Sequence, residues 1–270
     1  MSWEHLLSEG DFRLYRENIG LLEERVSADL GALLAEAPDP AILAAIRRVP
    51  RHLFVAPAYR ALAYTDNALP TSGGLTTSAP SVIALMLHEA RVARGSRTLE
   101  VGTGTGYEAS VLAEMGASVR SIEVDGGLAR AANGVLVSLG YKMPTGTQGV
   151  GRRASDPAGL ERFRAARRLF PGRGEVRLYR GDGSAGCPEG APYDAIVVAA
   201  SVPDAAALGD LAMQLSPRGA RLVAPVGARN DQELVVIERR GERLRRWAVE
   251  GVSLHFVRMV LPGRENGSAR

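Results

Sequence analysis

The feature that most constrains the fold of this 270-residue chain is a glycine-rich turn that joins a short apolar run to a helical stretch. The apolar run is Thr98–Val101, the turn is Gly102–Gly106 and the helical stretch is Glu108–Ala113. Glycines let the backbone turn sharply and approach a ligand closely, because they carry no Cβ atom. A strand, a glycine turn and a helix in this order predict a site for a nucleotide-like ligand. The third position after Gly104 is Tyr107, unlike the G-x-G-x-x-G spacing of dinucleotide sites, and the Gly-Lys-Ser/Thr ending of a phosphate loop is missing.

Short apolar runs alternate with helical stretches around this turn, which is typical of βαβ units. The pattern predicts an α/β fold with a doubly wound, mostly parallel sheet. The strands predicted for that sheet are Arg97–Val101, Ser118–Val124, Glu175–Tyr179, Asp194–Ala199 and Ala220–Pro225. Beyond them, the extended segments Leu234–Arg239 and Trp247–Val260 predict an antiparallel C-terminal hairpin.

Helical patterns dominate the region that precedes the sheet. Residues 1–36 have apolar positions at helical spacing, and Pro40–Arg48 and Ser81–Ala90 predict two further helices, the first of them capped by Asp39. Residues 51–80 are rich in Pro, Gly, Ser and Thr, and we expect an ordered, functional loop there. We therefore expect an N-terminal helical extension with this loop (1–92), a cofactor-binding domain (93–260) and a disordered tail (261–270).

Composition excludes several classes of protein. The chain is 46% hydrophobic and 23% charged, as ordinary globular proteins are, which excludes a disordered or collagen-like chain. Its 33 basic and 30 acidic residues leave a net charge of +3, too little for a nucleic-acid-binding surface.

No apolar stretch approaches the roughly 18 residues of a membrane span, so we expect no membrane partner. Acids at Glu4, Glu9 and Asp11 argue against a secretory leader, and the single cysteine, Cys187, argues against disulfides and zinc, so we expect a cytoplasmic protein without a metal.

Two acids follow predicted strands at positions suited to a nucleoside. Glu123 ends a strand about 20 residues after the glycine turn, where a carboxylate can accept hydrogen bonds from two ribose hydroxyls. Asp182, in the turn Gly181–Gly183, is placed to bind an adenine amino group. Each feature has a simpler explanation when taken alone, a tight turn for the glycines and a solvated turn for Asp182. Their combination favours a nucleoside-type cofactor.

These residues resemble a known family. Leu99–Gly106 is similar to the cofactor motif of the S-adenosylmethionine-dependent methyltransferases, which share a Rossmann-like sheet and have many different activities. Within them, the chain resembles the protein-L-isoaspartate O-methyltransferases over residues 38–143 and 175–258. The segments that carry this narrower resemblance are Val49–Val55, Ala63–Asp66, Leu69–Pro70, Thr76–Pro80, Gly181–Gly183, Ala191–Ile196 and Pro225–Gly227.

The resemblance implies a cofactor, a reaction and a set of site residues. The cofactor is S-adenosylmethionine, its product is S-adenosylhomocysteine, and the acceptor is the free carboxylate of L-isoaspartyl residues in damaged proteins or peptides, which are repaired through a succinimide. Ser78 is implied as the catalytic residue, and the implied substrate-binding residues are Thr76, Thr77, Ser78, Val257 and Arg258. The implied cofactor-binding residues are Glu100, Gly102, Thr103, Gly104, Gly106, Glu123, Val124, Asp182 and Gly183.

Two of these residues have alternative roles. Ser78 precedes a predicted helix and is also a candidate for its N-cap. Glu100 is implied beside the charged methionyl end of the cofactor, and alternatively caps the following turn. A carboxylate acceptor is already ionised at neutral pH, so the reaction needs no general base. We accordingly interpret the scattered His52, His88 and His255 as structural residues without a nearby acid.

The chain departs from the family pattern on the expected substrate side. Leu75 replaces a glutamine, Ser81 an aromatic residue or histidine, and Arg258 a proline. An arginine-rich insertion at about 144–174 contains a predicted helix, Pro157–Phe170, which is a solvated face or, as a hypothesis, a surface for an acidic peptide.

Three alternatives therefore stay open: methylation of an aspartyl carboxylate in one dedicated ribosomal natural-product peptide, nucleic-acid methylation, and a non-catalytic cofactor-binding protein. The second lacks the Asn/Asp-Pro-Pro-aromatic motif that holds a flipped base.

Overall fold

A computed structural model of the protein describes residues 8–34, 38–71, 75–142, 172–228, 231–252 and 254–261. Its centre is a seven-stranded sheet with the order β5-β4-β3-β6-β7-β8-β9. These strands are β3 (Arg97–Val101), β4 (Ser118–Glu123), β5 (Glu175–Arg180), β6 (Ala195–Val198), β7 (Arg218–Ala228), β8 (Asp231–Arg240) and β9 (Arg243–Val249). Strands β3 to β7 pair in parallel, and β8 and β9 are antiparallel. The predicted doubly wound, mostly parallel sheet with an antiparallel C-terminal hairpin is confirmed.

The helices also follow the predicted order. They are α1 (Glu9–Leu34), α2 (Pro40–Arg48), α3 (Pro80–Glu89), α4 (Tyr107–Glu114), α5 (Gly126–Ser138) and α6 (Gly209–Ala212). Asp39 caps α2 as predicted, since its Oδ1 accepts a hydrogen bond from the backbone N–H of Ala41 at 2.8 Å. No described helix is long and apolar enough to cross a membrane. The predicted insertion helix, Pro157–Phe170, and the predicted tail after residue 261 lie outside the described residues.

The prediction for the second hairpin segment is wrong. It placed a strand at Trp247–Val260, whereas β9 ends at Val249 and the chain turns away from the sheet at Gly251, which has a φ of +76°. The following residues cross to the loop after β6, where Ser201 N–H donates to the carbonyl of Val257 at 2.7 Å and Met259 N–H donates to the carbonyl of Ser201 at 2.8 Å. This non-local pairing has no signal in the local sequence pattern. It carries Val257 and Arg258 to the carboxyl edge of the sheet.

Successive side chains of a strand point to opposite faces of the sheet, so the core has one layer on each face. Adjacent residues Ile196 and Val197 of β6 belong to different layers, and both are fully buried. Helices α1 to α5 pack on one face of the sheet, and α6 packs on the other with the residues around Leu208. Residues from both sides of the predicted domain boundary at 92/93 share the first layer, and that boundary stays a prediction.

The segment predicted as a long loop, 51–80, contains short elements. Two 3₁₀ helices, Arg51–Phe54 and Pro57–Leu62, precede β1 (Leu69–Pro70) and β2 (Thr76–Thr77), which form a small antiparallel pair. Arg51 fixes the path of the whole segment from a completely buried position. Its guanidinium donates to the backbone carbonyls of Ala63, Thr65, Asn67 and Ser78 at 2.9, 2.9, 2.7 and 3.1 Å. It also lies 5.5 Å from the ring centroid of Tyr107 in α4, so one side chain ties this segment to the helix after the glycine turn.

Replacing Arg51 by methionine should lower the free energy of unfolding by about 3 kcal/mol or more, because buried carbonyls lose their charged donor. Chemical denaturation followed by circular dichroism measures this change. Arg48→Met is the matched control: Arg48 is exposed at the end of α2, and its replacement should change the free energy by no more than about 0.5 kcal/mol. Equal losses in the two variants would contradict the role given to Arg51.

Candidate active site

A cavity opens at the carboxyl ends of the central parallel strands, where open α/β sheets bind their ligands. Most of the sequence-predicted site residues line it: Thr76, Thr77, Ser78, Gly102, Thr103, Gly104, Glu123, Val124, Asp182, Gly183, Val257 and Arg258. Glu100 and Gly106 do not line it. The cavity therefore joins the residues implied for the cofactor to those implied for the substrate.

The glycine turn between β3 and α4 has the backbone that only glycine adopts readily. Gly102, Gly104 and Gly106 have φ angles of +96°, +54° and +87°, in the left-handed region. Glu123, at the end of β4, holds this turn in place. Its Oε2 accepts a hydrogen bond from Gly104 N–H at 2.8 Å, and its Oε1 accepts one from Asp125 N–H at 2.9 Å. A carboxylate keeps further lone pairs for a ligand after two such bonds, so Glu123 fits a hydroxyl-bearing sugar.

Asp182 and Gly183 form the wall that follows β5. The Oδ1 of Asp182 accepts a hydrogen bond from Ser184 N–H at 2.8 Å, which fixes the side chain in a turn at the cavity. A Cβ atom at Gly183 would lie 2.5 Å from Cγ1 of Val101, closer than packed atoms allow. Asp182 therefore lies in a turn, as its simpler explanation expects, and this turn forms part of the cavity wall.

Glu100 lies behind the glycine turn instead of facing the cavity. It is completely buried, and its Oε2 accepts a hydrogen bond from Ser121 Oγ at 2.5 Å. Ser121 Oγ in turn lies 2.5 Å from Thr103 Oγ1, so three side chains link Glu100 to the turn. Burial, and then the charge of Glu108, raise the pKa of Glu100 well above its ordinary value. This arrangement favours the alternative in which Glu100 supports the turn.

The residue that sequence reasoning missed is Glu108. It lies in the first turn of α4, lines the cavity and is 6% exposed. Burial raises the pKa of its carboxyl group to about 8. The sequence signal was its place two residues after the last glycine of the turn, but only the packed helix shows that its side chain borders the cavity.

The acceptor side of the cavity is the β1–β2 pair with the residues after it. Thr77 pairs with Leu69, and the chain then runs through Ser78 into α3, whose N-cap is Ala79. Asp66 Oδ1, rather than Ser78, accepts the hydrogen bond from the Ser81 N–H in the first turn of α3. The alternative role of Ser78 as the helix N-cap is therefore wrong.

Two of the three departures from the family pattern, Leu75 and Arg258, line the cavity. The third departure, Ser81, lies in the first turn of α3 and does not line this cavity.

None of His52, His88 and His255 lines this cavity. The expectation that none has a nearby acid is wrong for His52, whose Nε2 lies 3.6 Å from Oδ1 of Asp11. His52 Nδ1 also lies 2.6 Å from the Tyr64 hydroxyl, and burial lowers its pKa to about 4. This contact joins α1 to the segment after α2. Among the described residues, no group of three or more His, Cys, Asp and Glu side chains is arranged to bind a metal ion.

Gly183→Ala should destabilise the fold by about 1–3 kcal/mol and weaken S-adenosylmethionine binding, because the new methyl group must displace Val101 at the cavity wall. Thermal unfolding and calorimetric titration measure the two effects. Gly181→Ala is the matched control, since a Cβ atom there meets nothing within 4 Å. The wall assignment would be contradicted by a Gly183→Ala variant that behaves like Gly181→Ala.

Known proteins similar to this chain are methyltransferases. Two relatives are named protein-L-isoaspartate O-methyltransferase: one from Halorhodospira halophila, 40% identical over 90% of this chain and 94% of the relative, and one from Methanoregula boonei, 36% identical over 88% and 93%. A solved protein-L-isoaspartate O-methyltransferase superposes with a TM-score of 0.62 at 23% identity, covering 88% of this chain and 66% of that chain. A second solved structure, titled a putative enzyme of this kind from Plasmodium falciparum in complex with S-adenosyl-L-homocysteine, has a TM-score of 0.61 at 18% identity, covering 90% and 98%. These two structures show the shared fold.

The family model described as protein-L-isoaspartate(D-aspartate) O-methyltransferase matches residues 35–260. That range contains the sheet, the glycine turn and the Thr76–Ser78 wall. The two relatives match almost over their whole length. The chain therefore belongs to the protein-L-isoaspartate O-methyltransferase family, whose cofactor is S-adenosylmethionine.

Proposed function

We propose that this protein transfers the methyl group of S-adenosylmethionine to the free carboxylate of L-isoaspartyl residues in proteins and peptides. The observation that carries the proposal is a single cavity lined on one side by the glycine turn, Glu123 and Asp182, and on the other by Thr76–Ser78. Family membership supplies the reaction class, and this cavity supplies a place where donor and acceptor meet.

The cofactor residues fit an adenosyl ligand by their chemistry. The glycine turn allows close approach of the backbone, Glu123 offers lone pairs to ribose hydroxyls, and Asp182 can accept a hydrogen bond from the adenine amino group. When bound, the cofactor supplies an electrophilic methyl group on a sulfonium. Glu100 acts indirectly in this proposal, through the hydroxyls of Ser121 and Thr103.

The acceptor residues orient a group that is already reactive. An isoaspartyl carboxylate is ionised at neutral pH, so no side chain needs to remove a proton. Ser78 donates its hydroxyl to this carboxylate, Thr76 and Thr77 shape the wall, and Arg258, which also lines the cavity, supplies a positive charge. Alignment of the two reacting groups in a cavity that excludes water lowers the barrier.

The product explains how methylation leads to repair. The ionised carboxylate resists attack by a nucleophile, whereas its neutral methyl ester can be attacked and can expel methanol. The backbone amide nitrogen can therefore attack the ester and close a succinimide ring, which water then opens in part to a normal aspartyl residue. Damaged proteins are accordingly the proposed partners. The cytoplasm is the proposed location, because the single buried cysteine, Cys187, needs no oxidising compartment.

Transfer of tritium from methyl-labelled S-adenosylmethionine to synthetic peptides tests this function. The protein should label an L-isoaspartyl peptide and leave its normal L-aspartyl twin unlabelled. Preference for the aspartyl twin would favour a dedicated aspartyl-carboxylate methyltransferase. Cofactor binding with no label on either peptide would favour a non-catalytic protein and contradict the proposal.

Two substitutions separate the proposed acceptor and cofactor sides. Ser78→Ala should lower kcat/KM for the isoaspartyl peptide by about tenfold or more while the Kd for the cofactor stays constant, because a hydrogen bond to a charged group is lost. Asp182→Ala should mainly raise the Kd for S-adenosylmethionine. Ser138→Ala and Asp210→Ala, at exposed positions away from the cavity, are the controls. A raised cofactor Kd in Ser78→Ala with normal turnover would contradict the division of roles.

A further inference from the structure

Glu108 is the acid of the cavity that the proposed function leaves without a role. Its side chain is more than nine-tenths buried, yet it lines the same cavity as Ser78 and Asp182. Its Oε1 has no hydrogen-bond partner among the described residues. A buried carboxyl group without a partner is costly, so a group that compensates it is expected to come from a ligand.

Several other acids lie near Glu108 at this end of the sheet. Glu100 on β3 is fully buried, and its Oε1 also has no partner in the described part of the chain. Glu123 on β4, Asp125 after it and Asp182 after β5 are the other acids at this cavity. The residues that α2, the helix packed against α4, buries are apolar: Ile42, Ala45 and Ile46.

Two arginines near the cavity do not compensate Glu108, whose pKa is shifted by burial and by no neighbouring cation. Arg51 gives its guanidinium to four backbone carbonyls, and Arg258 is exposed on the acceptor wall. Tyr107, the remaining titratable neighbour, is buried, and burial raises its pKa to about 12, so it stays neutral. The described groups around Glu108 therefore supply no cation to its ionised form.

The charges of donor and product differ by one. At neutral pH, S-adenosylmethionine carries a sulfonium, an ammonium and a carboxylate, with a net charge of +1. S-adenosylhomocysteine has lost the sulfonium charge and is neutral overall. A negative side chain in a cavity shielded from water attracts the first ligand more strongly than the second.

We propose that Glu108 binds the cationic methionyl end of the cofactor and makes the site prefer S-adenosylmethionine over S-adenosylhomocysteine. Glu108 thus has the role that the family resemblance implied for Glu100. Glu100 itself lies behind the glycine turn and does not line the cavity. The consequence is that S-adenosylmethionine competes better with the product for the site than it would without this charge.

The proposal links cofactor binding to a proton. With a pKa of about 8 in the ligand-free protein, Glu108 is mostly protonated at pH 7. A cation held against the carboxylate lowers this pKa, so binding S-adenosylmethionine releases a proton. The affinity for S-adenosylmethionine should therefore rise with pH up to about 8.5 and then level off, and the affinity for S-adenosylhomocysteine should change less.

Calorimetric titration of both ligands at pH 7, in two buffers with different ionisation enthalpies, counts the released protons. The unchanged protein should release close to one proton with S-adenosylmethionine and fewer with S-adenosylhomocysteine. Glu108→Gln should abolish the release, and at pH 8.5 it should reduce the preference for S-adenosylmethionine by about tenfold, while S-adenosylhomocysteine affinity stays nearly constant. Glu24→Gln, at an exposed position of α1, is the control and should match the unchanged protein.

Two further variants keep the assignment falsifiable. Glu108→Asp retains the charge and should retain the proton release. If Glu108→Gln instead lost affinity for both ligands by the same factor, Glu108 would have a structural role and the proposal would be overturned. Proton release that survives in Glu108→Gln but disappears in Glu100→Gln would also overturn it, in favour of Glu100. An unchanged protein that binds neither ligand would overturn the cofactor site as a whole, and failure of peptide methylation with normal proton release would overturn only the proposed acceptor.

Discussion

The carboxylate of Glu123 is the interaction on which the cofactor side of the molecule depends. Parallel pairing of β3 and β4 brings the ends of both strands to one edge of the sheet, and Glu123 then bridges the loops that leave them. The glycine turn needs three glycines with positive φ, and glycine loses more conformational entropy on folding than any other residue. The two hydrogen bonds that Glu123 accepts, one of them from Gly104 in the turn, offset part of that cost and hold the turn where a ligand can approach its backbone.

The acceptor side has a separate anchor. The Arg51 guanidinium donates hydrogen bonds to four backbone carbonyls between residues 63 and 78. No carboxylate of the described residues is hydrogen-bonded to it. Because the guanidinium also stacks near Tyr107, the two walls of the cavity share a contact at the start of α4. Glu108 follows Tyr107 directly, so the same helical turn carries the contact between the walls and the unpaired acid.

Local sequence predicts the parts of this molecule that depend on local interactions. The β3–turn–α4 unit, the Asp39 cap and the positions of Glu123 and Asp182 at the cavity follow from residues near one another in the chain. The crossing of residues 254–261 to Ser201, the contact of His52 with Asp11 and the capping of α3 by Asp66 depend on residues far apart, and a pattern of apolar residues carries no sign of them. Glu108 was missed for another reason: a helix after a glycine turn has several faces, and packing decides which of them meets the cavity.

The return of residues 257–260 to the cavity sets the order in which the site can be completed during synthesis. The glycine turn, Glu123 and Asp182 leave the ribosome well before this last segment, which pairs with Ser201 only after the β8–β9 hairpin has emerged. A nascent chain therefore carries the residues of the cofactor side before it carries the whole lining of the cavity. The lining is complete only when residues 257–260 have paired with the loop after β6.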